Sequence, residues 1–279
     1  MISRDHPDAP WEGSQIFVAS CLITASEDGD TSTLKLGTPF LIAGQPAYIS
    51  VAEPSWTPSN ELLFLSDING YLNPWIASHC SEGVMAEPVS PLHIPEDFGE
   101  LDWVLGLSSY ALLDDKNAIY SSFRNGRAQM YLVHLDKRTF RALPTPYVSI
   151  QFVRHVSKGK VVFWGKKSDD EGVVVELELD DPEDVPQYRV IQRQDRHNNQ
   201  LFPSSLISLP QAIQIRVLIE NYRLPVHVVY YPPKNPNYLG GLSGELPPAI
   251  VHVHGGPTCM VGQGLDWQKQ YFTSRGWTW

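Results

Sequence analysis

Cysteine is scarce in this chain: Cys21, Cys80 and Cys259 are the only three in 279 residues. Odd in number and far apart, they offer neither a disulfide framework nor a zinc cluster, and they suit a reducing compartment. Basic residues are also few, 21 against 31 acidic ones, for a formal net charge of −10. No Lys/Arg cluster stands out, so no nucleic-acid partner is expected. No apolar run approaches the roughly 20 residues that a membrane helix needs. The N-terminus, Met1-Ile2-Ser3-Arg4-Asp5-His6-Pro7, lacks the apolar core of a signal peptide. These absences leave a soluble cytoplasmic protein, without a membrane partner, as the expectation. The acidic run Asp180-Asp181-Pro182-Glu183-Asp184 lacks the ligand spacing of a calcium loop and reads as a solvated turn.

Aromatics, by contrast, are plentiful, and 23 prolines with 20 glycines imply many turns. From about residue 14 to 200 short apolar runs alternate with polar turns, with hardly a convincing helix. Ile16–Ala19, Leu62–Leu65, Ala118–Tyr120, Lys160–Trp164 and Val173–Leu179 each read as a strand. A weak repeat lies beneath them, in which a strand leads through a glycine-containing turn to a second strand. It is seen over Leu62–Trp75, Ala118–Leu132 and Val161–Leu177. Its glycines, Gly70, Gly126 and Gly172, lie 56 and 46 residues apart. Propeller blades recur at roughly 40–50 residues, so the spacing fits blades with a loop insertion, and a β-sandwich with similar turns is the alternative.

Composition shifts near residue 195. A polar connector, Asp195–Gln200, gives way to the alternating run Ile213–Ile219 and to the strand Pro225–Pro233. A loop then leads to Ala249–Val253, read as a buried strand, which runs into His254-Gly255-Gly256-Pro257. Gln263–Ser274 is expected to be a helix stopped by Gly276, and Trp277–Trp279 the start of a further strand. The fold class expected is mixed β and α/β: a partial β-propeller of about four blades over 1–200, then the first strands of an α/β-hydrolase domain over 201–279.

Four separated pieces carry a family resemblance. They are Asp5–Trp11; Trp56-Thr57-Pro58-Ser59-Asn60 with Phe64-Leu65-Ser66-Asp67 and Gly70; Tyr230–Pro236 with Gly244–Pro248 and His254–Thr258; and Gln270–Trp277. In this order the chain resembles the prolyl oligopeptidase family of serine peptidases, in particular its acylaminoacyl-peptidase and dipeptidyl-peptidase-like branch. Asn60 departs from the family's turn glycine, and Pro74-Trp75 from its usual Leu-Tyr. The resemblance implies a β-propeller that limits access to short peptides and a hydrolase that cleaves them with a Ser-Asp-His triad, without a cofactor. It also implies an internal piece of such a protein, short at both ends.

In that fold the loop His254-Gly255-Gly256-Pro257 supplies a backbone N–H to the oxyanion hole, and glycine lets the N–H approach because no Cβ intervenes. The nucleophile belongs in a downstream G-x-S-x-G, which is absent. Gly241-Leu242-Ser243-Gly244-Glu245 and Gly106-Leu107-Ser108-Ser109-Tyr110 each miss the last glycine. No catalytic residue is therefore assigned, and the triad is expected beyond Trp279. His252 and His254 share one strand face, but no third ligand accompanies them and no metal is expected. The reading is a fragment of a peptidase for short peptides, inactive alone. A non-catalytic propeller-like binding module and an esterase on the same scaffold stay open as alternatives, as does the oligomeric state.

Overall fold

The computed structural model describes the chain except residues 1, 4–5, 10, 26–31, 79–86, 89–93, 101–105, 194–201, 220–221, 239 and 257–258. Its described residues are mostly strand, and helix is confined to a 3-10 turn at Ser204–Leu206 and one short α-helix. Strands β1 (Ile2–Ser3), β2 (Gln15–Val18) and β5 (Phe40–Gly44) form a three-stranded sheet. Between β2 and β5 the chain makes the hairpin of β3 (Cys21–Ala25) and β4 (Ser32–Leu36). Three four-stranded antiparallel sheets follow, each with its strands in chain order. The first holds β6 (Val51–Trp56), β7 (Leu62–Ser66), β8 (Asn73–Ala77) and β9 (Glu87–Pro88). The second holds β10 (Tyr110–Leu112), β11 (Asn117–Arg124), β12 (Arg127–His134) and β13 (Thr139–Leu143). The third holds β14 (Ser149–Ser157), β15 (Lys160–Lys166), β16 (Val173–Glu178) and β17 (Gln187–Arg193). A long hairpin of β18 (Gln211–Ile219) and β19 (Tyr222–Tyr230) precedes the helix α1 (Trp267–Thr273).

The repeat seen in the sequence is the central hairpin of each four-stranded sheet: β7–β8, β11–β12 and β15–β16. Local chemistry explains why these turns are legible. Asn125 and Gly126 both take positive φ, +54° and +71°, and form the two-residue loop whose twist matches that of the flanking strands. Asn60 likewise takes φ +60° where a glycine was expected, a conformation that asparagine tolerates better than most residues. Gly172 has another cause, since a Cβ there would stand 2.1 Å from the Trp164 ring.

The chain divides into two compact units, Met1–Ser122 with Tyr131–Arg141, and Phe123–Met130 with Ala142–Trp279. In the first, β7 is buried on both faces, and its period of two splits its side chains between two cores. Leu62 and Phe64 join Ile16, Val51 and Ala77. Leu63 and Leu65 join Phe98, Tyr110, Tyr120 and Tyr131. Burial in the second of these cores holds the Tyr110 and Tyr120 hydroxyls far above the usual phenol range. Glu96 lies in the same unit, accepting hydrogen bonds from Ser122 Oγ at 2.5 Å and from Tyr131 Oη at 3.0 Å. A buried carboxylate needs such donors.

The second unit is built on the sheet β14–β17, with Val153, Val161, Val175 and Leu177 fully buried. Tyr147, Phe163 and Tyr188 pack edge to face beside them. Tyr188 donates to the Pro144 carbonyl, and burial pushes its pKa up to about 12.

Two expectations need correction. Ala249–Val253 is not a buried strand: it makes a single parallel bridge, Ala249 to Thr278, while Val251 is 86% and Val253 79% exposed. Only one edge of this segment has a partner among the described residues, and every residue of it except half-buried Ile250 is exposed. The helix is also shorter than the expected Gln263–Ser274, because Asp266 caps it by accepting from the Gln268 N–H, so its first turn begins at Trp267. Gly276, at φ +90°, does stand just past its C-terminal end.

Candidate functional site

The described residues assigned to the site lie in the second unit, between the bridge residue Ala249 and helix α1. The Ile250 N–H donates to the Thr278 carbonyl at 2.9 Å, and the Thr278 N–H to the Pro248 carbonyl at 2.9 Å. Tyr231 and Trp279 exchange backbone hydrogen bonds of 2.9 and 3.1 Å, so the end of the chain runs between Pro248–Ile250 and Tyr231.

His254, Gly255 and Gly256 follow Ala249–Val253 and are all exposed. Gly256 takes φ +67°, which glycine adopts without strain, and a Cβ at either glycine would meet nothing within 4 Å. His254 Nδ1 comes to 3.5 Å from the Gly255 carbonyl oxygen. Pro257 lies outside the described residues. His252 packs its ring against Trp279 at 6.1 Å. Among the described residues no group of three or more His, Cys, Asp or Glu side chains is placed to hold a metal ion. The two serine sequences that imitate a nucleophile motif occupy ordinary turns. Ser108 Oγ donates to the Tyr110 carbonyl, Ser109 Oγ to Glu53, and Ser243 sits in an exposed turn closed by the Glu245 N–H.

What fixes helix α1 was invisible in the sequence. Helix α1 is fixed by a buried polar knot, in which the Ser208 N–H donates to Gln270 Oε1 at 2.7 Å and Gln270 Nε2 returns a bond to the Ser208 carbonyl at 3.1 Å. The Lys234 N–H and the Asn235 side chain cap the helix C-terminus by donating to the Thr273 and Ser274 carbonyls. Two of the motif segments, Tyr230–Pro236 and Gln270–Trp277, thus meet in space. Lys269 is buried with its ammonium 5.1 Å from the Tyr231 ring centre and 3.7 Å from Asp266. Burial lowers its pKa, against the opposing pull of Asp266. Burial and then the Asp266 charge push Tyr231 up to about 12. A cavity of about 1000 Å³ opens beside these groups, lined by Ile213, Val226, Val228, Ile250, His252 and Trp279 among others.

No protein-family model and no curated protein matches the chain. Solved structures do. A puromycin hydrolase superposes with a TM-score of 0.80 at 23% identity, covering 99% of this chain and 38% of that one. A Mycobacterium tuberculosis puromycin-hydrolyzing peptidase gives 0.79 at 28% identity, covering 99% and 39%. A Pyrococcus horikoshii acylaminoacyl peptidase gives 0.56 at 14% identity, covering 95% and 39%. The chain therefore spans about two-fifths of the length of each of these structures, and its β-rich fold fits the propeller region of such enzymes. These three solved structures are serine peptidases of the prolyl oligopeptidase family, so the resemblance carried by the motifs of this chain holds for its fold as well.

Proposed function

We propose that this chain is part of a serine peptidase that hydrolyses short peptides, in the manner of acylaminoacyl or dipeptidyl peptidases. Residues 1–200 form the propeller part, and 201–279 begin an α/β-hydrolase domain. The observation that carries the reading is the path from Pro248 through His254-Gly255-Gly256 and α1 back to Thr278, with its parallel bridge from Ala249. A glycine loop between a strand and a helix is where an oxyanion-hole N–H belongs in that fold.

The chemistry follows from the backbone. When a nucleophile attacks a carbonyl, negative charge grows on its oxygen, and an N–H of Gly255 or Gly256 would meet that charge with no Cβ in the way. One such donor is worth roughly 3 kcal/mol of transition-state stabilisation in a complete site. This chain carries no G-x-S-x-G serine, so the loop by itself performs no turnover. Exposed Cys21 and Cys259 accord with a cytoplasmic setting.

The purified 279-residue protein is expected to leave acylated and free aminoacyl chromogenic substrates intact. A peptide map of the native protein is expected to extend past Trp279 into a G-x-S-x-G segment. Turnover by the purified chain, or a native C-terminus at Trp279, would overturn the proposal.

A further inference from the structure

Gly70 and Gly126 hold the same place in the sequence repeat, and both have positive φ, +89° and +71°. Their surroundings differ. A Cβ at Gly70 would meet nothing within 4 Å, whereas one at Gly126 would come within 2.8 Å of the Val261 carbonyl oxygen. The segment that closes on Gly126 is the one that leads from the glycine loop to helix α1. The Gln263 N–H donates to the Gly126 carbonyl at 3.1 Å, and Gln263 Nε2 donates to the Asn125 carbonyl at 2.7 Å. Two residues on, the Leu265 N–H donates to the Lys167 carbonyl at 2.9 Å. Between them, Gly264 lies so close to the aliphatic stem of Lys166 that a Cβ would be 2.8 Å from it. Trp267 Nε1 then donates to Glu171 at 2.7 Å.

Val261–Leu265 has no secondary structure of its own, yet the tips of two successive hairpins, β11–β12 and β15–β16, hold it by backbone hydrogen bonds. Among the described residues, no backbone hydrogen bond joins Val251–Met260 to another element. The backbone hydrogen bonds that flank the glycine loop are therefore the Ile250–Thr278 bond before it and the Gln263 bonds after it. Gln263 suits the second role because its amide reaches one carbonyl while its backbone reaches the next, and it is only 5% exposed.

We propose that Gln263, seated on the Asn125-Gly126 turn, is the positioning residue of the loop that carries Gly255 and Gly256. The functional meaning of this clasp rests on the oxyanion reading above, but its existence does not. The clasp also explains why Gly126 must be glycine for a reason that the turn alone does not supply.

The test compares Gly126→Ala, Gly70→Ala and Gln263→Ala in the 279-residue protein. Amide hydrogen exchange is followed at Gln263 and Leu265, with the ¹⁵N-glycine resonances of Gly255 and Gly256 and the melting temperature. Gly126→Ala and Gln263→Ala are expected to speed exchange at Leu265 by about tenfold, the loss of one or two hydrogen bonds. Both should also move the Gly255 and Gly256 resonances. Gly70→Ala, with similar backbone strain but no segment above it, is expected to leave both readouts unchanged. The proposal fails if Gly70→Ala reproduces these effects, or if the Gly255 and Gly256 resonances stay in place in both clasp variants. Gln263→Ala introduces no positive-φ strain, so it keeps the test decisive should Gly126→Ala not fold. Activity in the native protein tests the oxyanion reading separately and leaves the exchange result standing.

Discussion

Two apolar runs of similar sequence, Val173-Val174-Val175-Glu176-Leu177 and Ala249-Ile250-Val251-His252-Val253, meet opposite fates in this chain. In the first, Val175 and Leu177 are 0% exposed; in the second, Val251 and Val253 are 86% and 79% exposed. Their β-propensity is alike, so propensity does not decide the outcome. Strand β16 lies between β15 and β17, paired along both edges. The second run has one parallel bridge on one edge. A strand former fits a pleated surface that its neighbours must supply, and here the neighbours differ. A hairpin supplies its neighbour from the next few residues. A parallel strand must wait for a crossover.

The comparison breaks most visibly by charge. Leu177→Asp should cost about 4 kcal/mol or more, because the carboxylate would stand unpaired in the sheet's core. Val251→Asp should change stability by less than about 0.5 kcal/mol, as exposed substitutions do. Urea denaturation of the two variants measures the difference, and equal losses would show that Ala249–Val253 is covered after all. The next effect falls on the anchor of helix α1. Gln270→Ala would leave the Ser208 N–H and carbonyl without their buried partner, an expected loss of about 2–3 kcal/mol. The same denaturation curves read it, and a loss below about 1 kcal/mol would mean that the knot contributes little.

The difference between the regions also marks what the sequence could disclose. The hairpins β7–β8, β11–β12 and β15–β16 were legible because a strand, its turn and its partner lie within one short window, and Asn125-Gly126 is turn chemistry in itself. The bulges at Glu53 and Phe152, with φ +51° and +57° at register shifts in β6 and β14, carry no such mark, since neither residue favours that conformation. At the candidate site, the glycine loop could be read from its composition. Its supports could not: Gln270 finds Ser208 62 residues away, and Gln263 finds Asn125 138 residues away. The helix start was misplaced for the same reason. Gly264 and Leu265 are held against Lys166 and Lys167, which no local pattern announces, and the first turn waits for Asp266.

The smallest expected effect isolates charge from capping at that residue. Asparagine caps a helix about as well as aspartate, so Asp266→Asn should leave the start of α1 in place. What it removes is the negative charge that faces both Lys269 and Tyr231. In the folded chain Tyr231 is held up to about 12 by burial and then by Asp266, while an unfolded tyrosine ionises near 10.0. The stability linked to its proton is therefore fully present below pH 10 and is lost as pH rises towards 12. Lys269 works in the opposite sense: burial lowers its folded pKa, so stability rises with pH between that value and 10.5. Removing the Asp266 charge lowers both folded values, which shrinks the tyrosine loss and widens the lysine gain. Tyrosinate absorbance followed through an alkaline titration should show one phenol in Asp266→Asn ionising earlier than in the parent chain. An unchanged titration would mean that burial alone holds Tyr231 in its protonated form.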